Sequence, residues 1–243
     1  MIYALDQLRI INADYLESIK KNNQTIQNLH GNVILQNNNL MLFTEDANFY
    51  PKTDEFHLIN DVIMIKDQDT MKCNQIIYFN GENSFLKAIG NVSFVQTNQS
   101  INCDSLYYWS DLDSSIAYQN VKMIQKNTII QSDQLSFWKT SGYRGSSFIA
   151  KGNCKINDNN KIILANKIIY NDTSQLMSLI DNCNINEIDR GISGNKIQIQ
   201  YLDSLIQSAE VFDQASAYND VWAIINKKEK YRDTMFSQKL YSK

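Results

Sequence analysis

The sequence predicts an all-β fold in which short strands repeat with a period of about thirty residues. Two short phrases recur along the chain at the same period, apolar residues alternate with polar ones inside the first phrase, and polar clusters separate the phrases. Alternation with a period of two is typical of a strand that has one buried face. Two phrases that share one long period are typical of a stacked repeat architecture.

The first phrase is GNVILQ at residues 31–36, in which Asn or Asp precedes a small apolar residue that we call the anchor. Near-copies follow it along the chain. The anchors are Val33, Val62, Val92, Val121, Cys154 and Cys183. A less regular repeat is expected after residue 210, so the sequence predicts a single repeat domain over residues 1–243.

The second phrase is an Asp or Asn, an aliphatic residue two positions later and an aromatic residue two positions after that. Clear copies are NQIIY (74–78), DSLYY (104–108), DQLSF (133–137) and NKIIY (166–170). Polar, turn-forming clusters lie between the two phrases and again after the aromatic residues. The chain therefore turns about every fifteen residues, which predicts two strands per repeat and about fourteen short strands in all.

The alternation also predicts which side chains line the interior. These positions are Leu35, Val62, Met64, Ile76, Val92, Phe94, Leu106, Tyr108, Val121 and Met123. Such an interior is either a groove for apolar ligands or a sealed core. Methionine and phenylalanine would suit flexible chains of different length, since a thioether adapts its shape. Polar neighbours such as Lys122 are expected to face solvent.

The four cysteines follow the repeat period and not the spacing of a metal site. Cys73 and Cys103 hold one position in successive repeats, as do Cys154 and Cys183. The sequence has no C-x-x-C pair, so we expect four small buried side chains. A disulfide between neighbouring strands is the alternative that the sequence leaves open.

Composition and motifs argue against several functions. The net charge is −3 and the pI is about 5.4, so the chain has no basic field to hold nucleic acid. His30 and His57 lie near turns and have no nucleophile motif beside them. A polysaccharide-active enzyme would need a charged column on one outer face, and the aligned repeats contain none. We predict no enzyme activity, no catalytic residue, no cofactor and no metal.

The alternation of GNV phrases with D-x-L-x-Y phrases resembles the OstA-like, LptA-type family of lipopolysaccharide-transport proteins. IINADYLES (10–18) resembles the opening strand of that family, and YRDTMFSQKLYS (231–242) resembles a further copy of the second phrase. FWKTSGYRGSSF (137–148) departs from the pattern by lengthening one turn. The resemblance implies an elongated β-jellyroll, or taco, of consecutive antiparallel strands.

The resemblance also implies a function and partners. The protein would bind the acyl chains of lipopolysaccharide or a related lipid between its sheets and carry them through the periplasm toward the outer membrane. Its partners would be other OstA-like transport components, joined by end-to-end strand pairing, and further copies of this chain. The N-terminal residues MIYALDQLRI do not have the pattern of a signal peptide, so the periplasmic location rests on the resemblance alone.

A structural or adhesive β-solenoid is the alternative function. In that case the same interior residues form a sealed core, and the protein acts through its surface or its exposed strand edges. A rise in melting temperature on adding lipid would favour the carrier over the sealed solenoid.

Overall fold

The computed structural model describes residues 8–21, 24–80, 84–109, 112–139, 146–202, 205–222 and 230–242. Its regular elements are all β-strands, and the paired strands run antiparallel, which confirms the predicted all-β fold. The chain divides near the end of the ninth strand into two compact units, residues 1–123 and 124–243. That residues 1–243 form a single repeat domain stays a prediction.

The first unit is a meander of strands joined by tight turns. Its strands are β1 (Arg9–Asn12), β2 (Tyr15–Lys21), β3 (Gln24–Asn37), β4 (Leu40–Tyr50), β5 (Glu55–Lys66), β6 (Asp69–Phe79), β7 (Phe85–Gln96), β8 (Gln99–Trp109) and β9 (Ser114–Gln125). Consecutive strands from β3 to β9 are neighbours in the sheet, and β1 and β2 both pair with β3.

The second unit continues the same pattern. Its strands are β10 (Thr128–Lys139), β11 (Ser146–Asp158), β12 (Lys161–Asn171), β13 (Leu176–Asn186), β14 (Arg190–Leu202), β15 (Leu205–Trp222) and β16 (Lys230–Ser242). Each of these strands pairs with the next one along the chain. The lengthened turn that the sequence predicts within 137–148 lies partly outside the described residues, which omit 140–145.

The described residues contain sixteen strands, close to the predicted number of about fourteen. The opening segment forms two strands instead of one, because the chain bends between Asn12 and Tyr15. The backbone N–H of Asp14 donates to the carbonyl of Gly31 at 2.9 Å, which fixes that bend opposite a bend in β3. The irregular C-terminal region adds two long strands, β15 and β16.

The first phrase marks a β-bulge in the middle of each repeat. Between β5 and β6 the register shifts between Ile59 and Val62, and the intervening Asn60 and Asp61 have φ values of 66° and 49°. Gly, Asn and Asp adopt this left-handed conformation at the lowest cost. Equivalent pairs precede the other anchors: Gly31/Asn32, Gly90/Asn91, Gln119/Asn120, Gly152/Asn153 and Asp181/Asn182. The recurring phrase is therefore a recurring bend.

The second phrase supports the bulge of a neighbouring strand. At each of these contacts the Asn side chain of the bulge donates to a carboxylate. The contacts are Asn32–Asp14 at 2.7 Å, Asn120–Asp104 at 2.8 Å and Asn153–Asp133 at 2.9 Å. The first residue of the second phrase therefore binds the bulge that the first phrase forms on a neighbouring strand. This contact explains why the two phrases have the same period.

The bulges divide each long strand into two arms. We call the half that contains the anchor arm B, as in 62–66 of β5, and the half on the other side of the bulge arm A, as in 55–60 of β5. On a strand without an anchor, each half belongs to the arm of the half-strand with which it pairs. In the first unit the two arms face each other across an apolar interior. The rings of Phe94, on arm B of β7, and Tyr108, on arm A of β8, lie 5.3 Å apart at 60°.

Candidate functional site

The candidate site is the interior of the first unit. All ten residues that the sequence places in the interior lie there, and none is more than 3% exposed. Arm B contributes Leu35, Val62, Met64, Val92, Phe94, Val121 and Met123, and arm A contributes Ile76, Leu106 and Tyr108. Lys122, which alternates with the inward Val121 and Met123, is exposed as predicted.

Further interior residues are not among these ten candidates. They are Leu29, Leu42, Leu58, Met71, Leu86 and Ile101, and each is almost completely buried. The signal for them was present in the sequence: Leu29 and Leu58 precede an anchor by four residues. Met71 and Ile101 precede Cys73 and Cys103 by two, so the period of a strand predicts the same facing.

The protein's own side chains fill this interior. Phe94, Tyr78 and Tyr108 are the largest fully buried side chains of the described residues, and Leu35 and Met64 have no exposed surface. Close packing of this kind leaves no room for a lipid chain between the arms as they stand. An apolar ligand can enter only if the two arms move apart.

Small side chains line the crease where the arms meet. Each lies directly opposite an anchor on the preceding strand: Val62 pairs with Cys73, Val92 with Cys103, Cys154 with Ala165 and Cys183 with Gly194. The prediction of small buried cysteines is confirmed. The four thiols are free, and a whole strand separates Cys73 from Cys103, so the alternative disulfide is not formed.

The crease side chains also satisfy backbone carbonyls at the bulges. Cys73 Sγ donates to the carbonyl of Gln75, and Cys103 Sγ donates to that of Ser105, both at 3.2 Å. Ser132, at the equivalent position of β10, donates through Oγ to Gln134 at 3.0 Å. A bulge interrupts the ladder of backbone hydrogen bonds, and a short side-chain donor can then replace the missing partner of a carbonyl. Where the crease residue is Ala165 or Gly194, the anchor cysteine opposite donates instead, from Cys154 Sγ to the carbonyl of Asn166 at 3.4 Å and from Cys183 Sγ to that of Asn195 at 3.3 Å.

Burial keeps these thiols protonated. Desolvation raises the pKa of Cys73 and of Cys103 to about 12, and that of Cys154 and of Cys183 to about 11. A protonated thiol is a hydrogen-bond donor and a poor nucleophile or metal ligand. The cysteines therefore act as hydrogen-bond donors at the crease and have a structural role.

The tips of the arms meet along a line that we call the seam. At the seam Asn37 Nδ2 donates to the Tyr78 hydroxyl at 3.0 Å, and Lys66 Nζ lies 5.8 Å from the centre of the Tyr108 ring. Asn37 and Lys66 end β3 and β5, and the two tyrosines are the next-to-last residues of β6 and β8. Each contact thus joins a strand to the third strand along the sheet, and the two contacts lie one repeat apart from each other.

The second unit has the same offset between Asp158, which ends β11, and Tyr201, the next-to-last residue of β14. Burial, followed by the electrostatic effects of Tyr170 and Asp158, raises the pKa of Tyr201 to about 12. The Tyr201 hydroxyl also lies 4.0 Å from the sulfur of Met177. The Asp158 carboxylate is therefore close enough to Tyr201 to affect its titration.

Within the described residues, no group of three or more His, Cys, Asp or Glu side chains is placed to hold a metal ion. None of the described residues forms a helix long and apolar enough to cross a membrane. His30 and His57 contact carboxylates of the outer surface, Asp46 at 2.7 Å and Glu55 at 3.2 Å.

A family model described as OstA-like protein matches residues 6–83, 51–137 and 86–196, which together span more than half of the chain. Among solved structures, the chain is similar to LptH from Pseudomonas aeruginosa, described as the LptA homologous periplasmic component of the conserved lipopolysaccharide transport device. The identity is 12%, the match covers 57% of this chain and 94% of that chain, and the TM-score is 0.41. No curated protein matches the chain.

Proposed function

The chain belongs to the OstA-like family, and from this premise we propose that its interior binds the acyl chains of lipopolysaccharide or a related lipid. In this proposal the protein helps to carry the lipid across the periplasm toward the outer membrane. Membership of the family supports a role in lipopolysaccharide transport. The family consists of non-enzymatic transport proteins, so the chain is not an enzyme.

The observation that carries the proposal is the continuous apolar surface of both arms. Inward side chains of β3 to β9 follow one another without a charged residue between them. Each acyl CH₂ that is buried there contributes about 0.8 kcal/mol, so several chains bind tightly without a specific polar contact. Met64, Met71 and Met123 can change rotamer to fit chains of different length.

The free strand edges support the proposed partners. β2 pairs only with β3 in the described residues, and Leu16 of β2, although it lies opposite the fully buried Leu29, is 50% exposed. An unpaired edge with an uncovered apolar side chain accepts a strand of another protein. We propose that other OstA-like components, or a second copy of this chain, pair with β2 and extend the interior.

One observation favours a second function, that of a structural solenoid. The interior side chains have almost no exposed surface, as in a sealed core. In a sealed solenoid the arms never separate, and the protein acts through its outer faces or edges. The two functions differ in one measurable property, which is whether a lipid enters the folded protein.

The test is a titration of the purified protein with a fluorescent long-chain fatty acid, followed by displacement with lipopolysaccharide. The matched control ligand is the same lipopolysaccharide from which the lipid part has been removed by mild hydrolysis. We expect saturable binding, displacement by intact lipopolysaccharide only, and a higher melting temperature in its presence. Absence of saturable binding, or equal displacement by the delipidated saccharide, would contradict acyl-chain binding.

A further inference from the structure

The two edges of the interior are built differently. At the crease, the backbone of each long strand runs from one arm into the other, so the arms cannot part there. At the seam, side-chain contacts between the arms include the Asn37–Tyr78 hydrogen bond, the Lys66–Tyr108 ring contact and a hydrogen bond from the Leu8 N–H to Asn80 Oδ1 at 3.1 Å. The arms therefore separate most easily at the seam.

We propose that the seam is a latch that holds the interior closed without lipid and opens sideways to admit acyl chains. The inference rests on the proposed binding of acyl chains, and it adds the route by which they enter. Asn37 with Tyr78 and Lys66 with Tyr108 are the two latch contacts. Opening them leaves every hydrogen bond between neighbouring strands in place, because each contact bridges strands that are not neighbours.

The strength of the contacts suits a latch. A single hydrogen bond, or one ammonium group over an aromatic ring, contributes a net stabilisation of about 1 kcal/mol. Thermal fluctuation breaks such a contact readily, whereas separating two paired strands breaks many backbone hydrogen bonds at once. Closure is also favourable without lipid, since it removes the apolar surface of both arms from water.

The chemistry of the tyrosines points the same way. Phe137, two residues before the end of β10, shows that a ring without a hydroxyl fills the corresponding position of the second phrase. Tyr78 and Tyr108 instead combine a buried ring with a hydroxyl, and polar tip residues lie against both. An amphipathic ring at the border between an apolar interior and water is suited to a boundary that opens and closes.

Sideways entry also fits the shape of the ligand. The saccharide of a lipopolysaccharide is strongly hydrated and cannot pass between two apolar arms without losing its water. If the chains enter between the arm tips, the saccharide stays outside. Entry through the seam therefore needs no desolvation of the sugar.

The native cysteines provide a direct test. Cys73 and Cys103 line the interior on the strands that carry Tyr78 and Tyr108, and they are 6% and 5% exposed. The latch variant combines Tyr78→Phe with Lys66→Met, which keep the ring and the aliphatic stem. The matched control is Tyr170→Phe, because the Tyr170 hydroxyl bonds to Asp172 of its own turn at 3.3 Å.

Thiol labelling is followed under native conditions by mass spectrometry of each cysteine peptide. Loss of both latch contacts, at about fivefold for each, is expected to speed labelling of Cys73 and Cys103 about 25-fold. Cys154 and Cys183, in the second unit, should keep their wild-type rates, as should all four cysteines in Tyr170→Phe. Equal acceleration of all four cysteines would mean global unfolding and would overturn the latch, as would no acceleration of Cys73 and Cys103.

The association rate of a fluorescent fatty acid is measured on the same proteins. The latch predicts faster association for the latch variant and an unchanged rate for Tyr170→Phe. An unchanged association rate in a latch variant that binds the fatty acid would overturn entry through the seam. If no protein binds the fatty acid, the proposed function fails, while the labelling rates still decide whether the arms open at the seam.

Discussion

At the scale of the residue, the crease shows that a β-bulge favours a short side chain that can donate a hydrogen bond. Cys73, Cys103 and Ser132 occupy equivalent positions, and each donates to a carbonyl near the bulge. The position accepts only a small side chain, since an anchor on the preceding strand packs directly opposite. Size and hydrogen bonding, and not thiol chemistry, therefore explain the cysteines.

This explanation predicts different effects for two substitutions of Cys103. Cys103→Ser keeps a donor of the kind seen at Ser132 and is expected to change the free energy of unfolding by less than about 1 kcal/mol. Cys103→Ala leaves the carbonyl of Ser105 without this donor and should destabilise the protein by about 1–3 kcal/mol. Chemical denaturation measures both, and equal losses in the two variants would argue against a hydrogen-bonding role.

The same thiols predict a pH dependence of stability. Burial raises the pKa of Cys73 and Cys103 to about 12, whereas a thiol in the unfolded chain titrates near 8.5. Between these values the folded protein holds protons that the unfolded chain releases, so stability is complete below about pH 8.5 and falls as the pH rises toward 12. The loss at pH 10 is on the order of 1–2 kcal/mol per thiol.

The measurement compares denaturation at pH 8 and pH 10 for wild type and for the double variant Cys73→Ser, Cys103→Ser. Serine does not titrate in this range, so the variant should lose less stability than wild type. Other titrating groups are the same in both proteins and cancel in the comparison. Equal losses of stability in the two proteins would show that burial does not raise the pKa of these thiols.

At the scale of the element, periodicity predicts the strands and their facing but not their bends. The alternation around Val62 and Met64 places both residues in the interior, as the structure has them. The two residues before each anchor have a left-handed backbone conformation. Residue type does not always predict this conformation, since Gln119, which is neither Gly, Asn nor Asp, also adopts it with φ 61°. The pair Asp213 and Gln214, before Ala215, has the same geometry in the less regular repeat that the sequence predicts after residue 210, where no anchor could be assigned from the sequence.

The seam lay beyond sequence reasoning for a different reason. Asn37 and Tyr78 are 41 positions apart and lie on strands that are not neighbours, so no local pattern relates them. Their contact depends on how far the sheet turns between β3 and β6. The sequence predicts that Tyr108 faces the interior. Its contact with Lys66 could not be predicted, because it depends on an offset of three strands along the sheet.

The edge strand β2 carries a prediction about association. Leu16 is 50% exposed at the open edge of the first unit, and pairing with another chain would cover it. Leu16→Lys should weaken self-association at least about tenfold with little change in folding, because charge on an edge strand opposes pairing. The control is Leu112→Lys, at a residue 68% exposed in the connection between β8 and β9.

Light scattering over a hundredfold range of concentration checks this prediction. Wild type and Leu112→Lys should associate as the concentration rises, and Leu16→Lys should need at least about ten times the concentration to reach the same degree of association. A wild-type protein that is monomeric throughout, or a Leu16→Lys variant that associates as wild type does, would contradict pairing through β2.

At the scale of the whole molecule, one repeated unit supplies both the fold and the proposed activity. The bulge bends each strand, the bend creates two arms, and the arms bury an apolar surface that has no charged residue along it in the first unit. Membership of the OstA-like family connects this architecture to lipopolysaccharide transport. The central claim is that acyl chains occupy the space between the arms.

Site-specific photocrosslinking in cells that make lipopolysaccharide tests this claim most directly. One probe replaces Phe94, which is fully buried on arm B, and a matched probe replaces Lys122, which is exposed on the outer face of β9. The account predicts a lipopolysaccharide adduct at Phe94 and none at Lys122. A folded protein in the same cells that forms no adduct at Phe94, or forms equal adducts at both positions, would contradict it and favour the sealed solenoid.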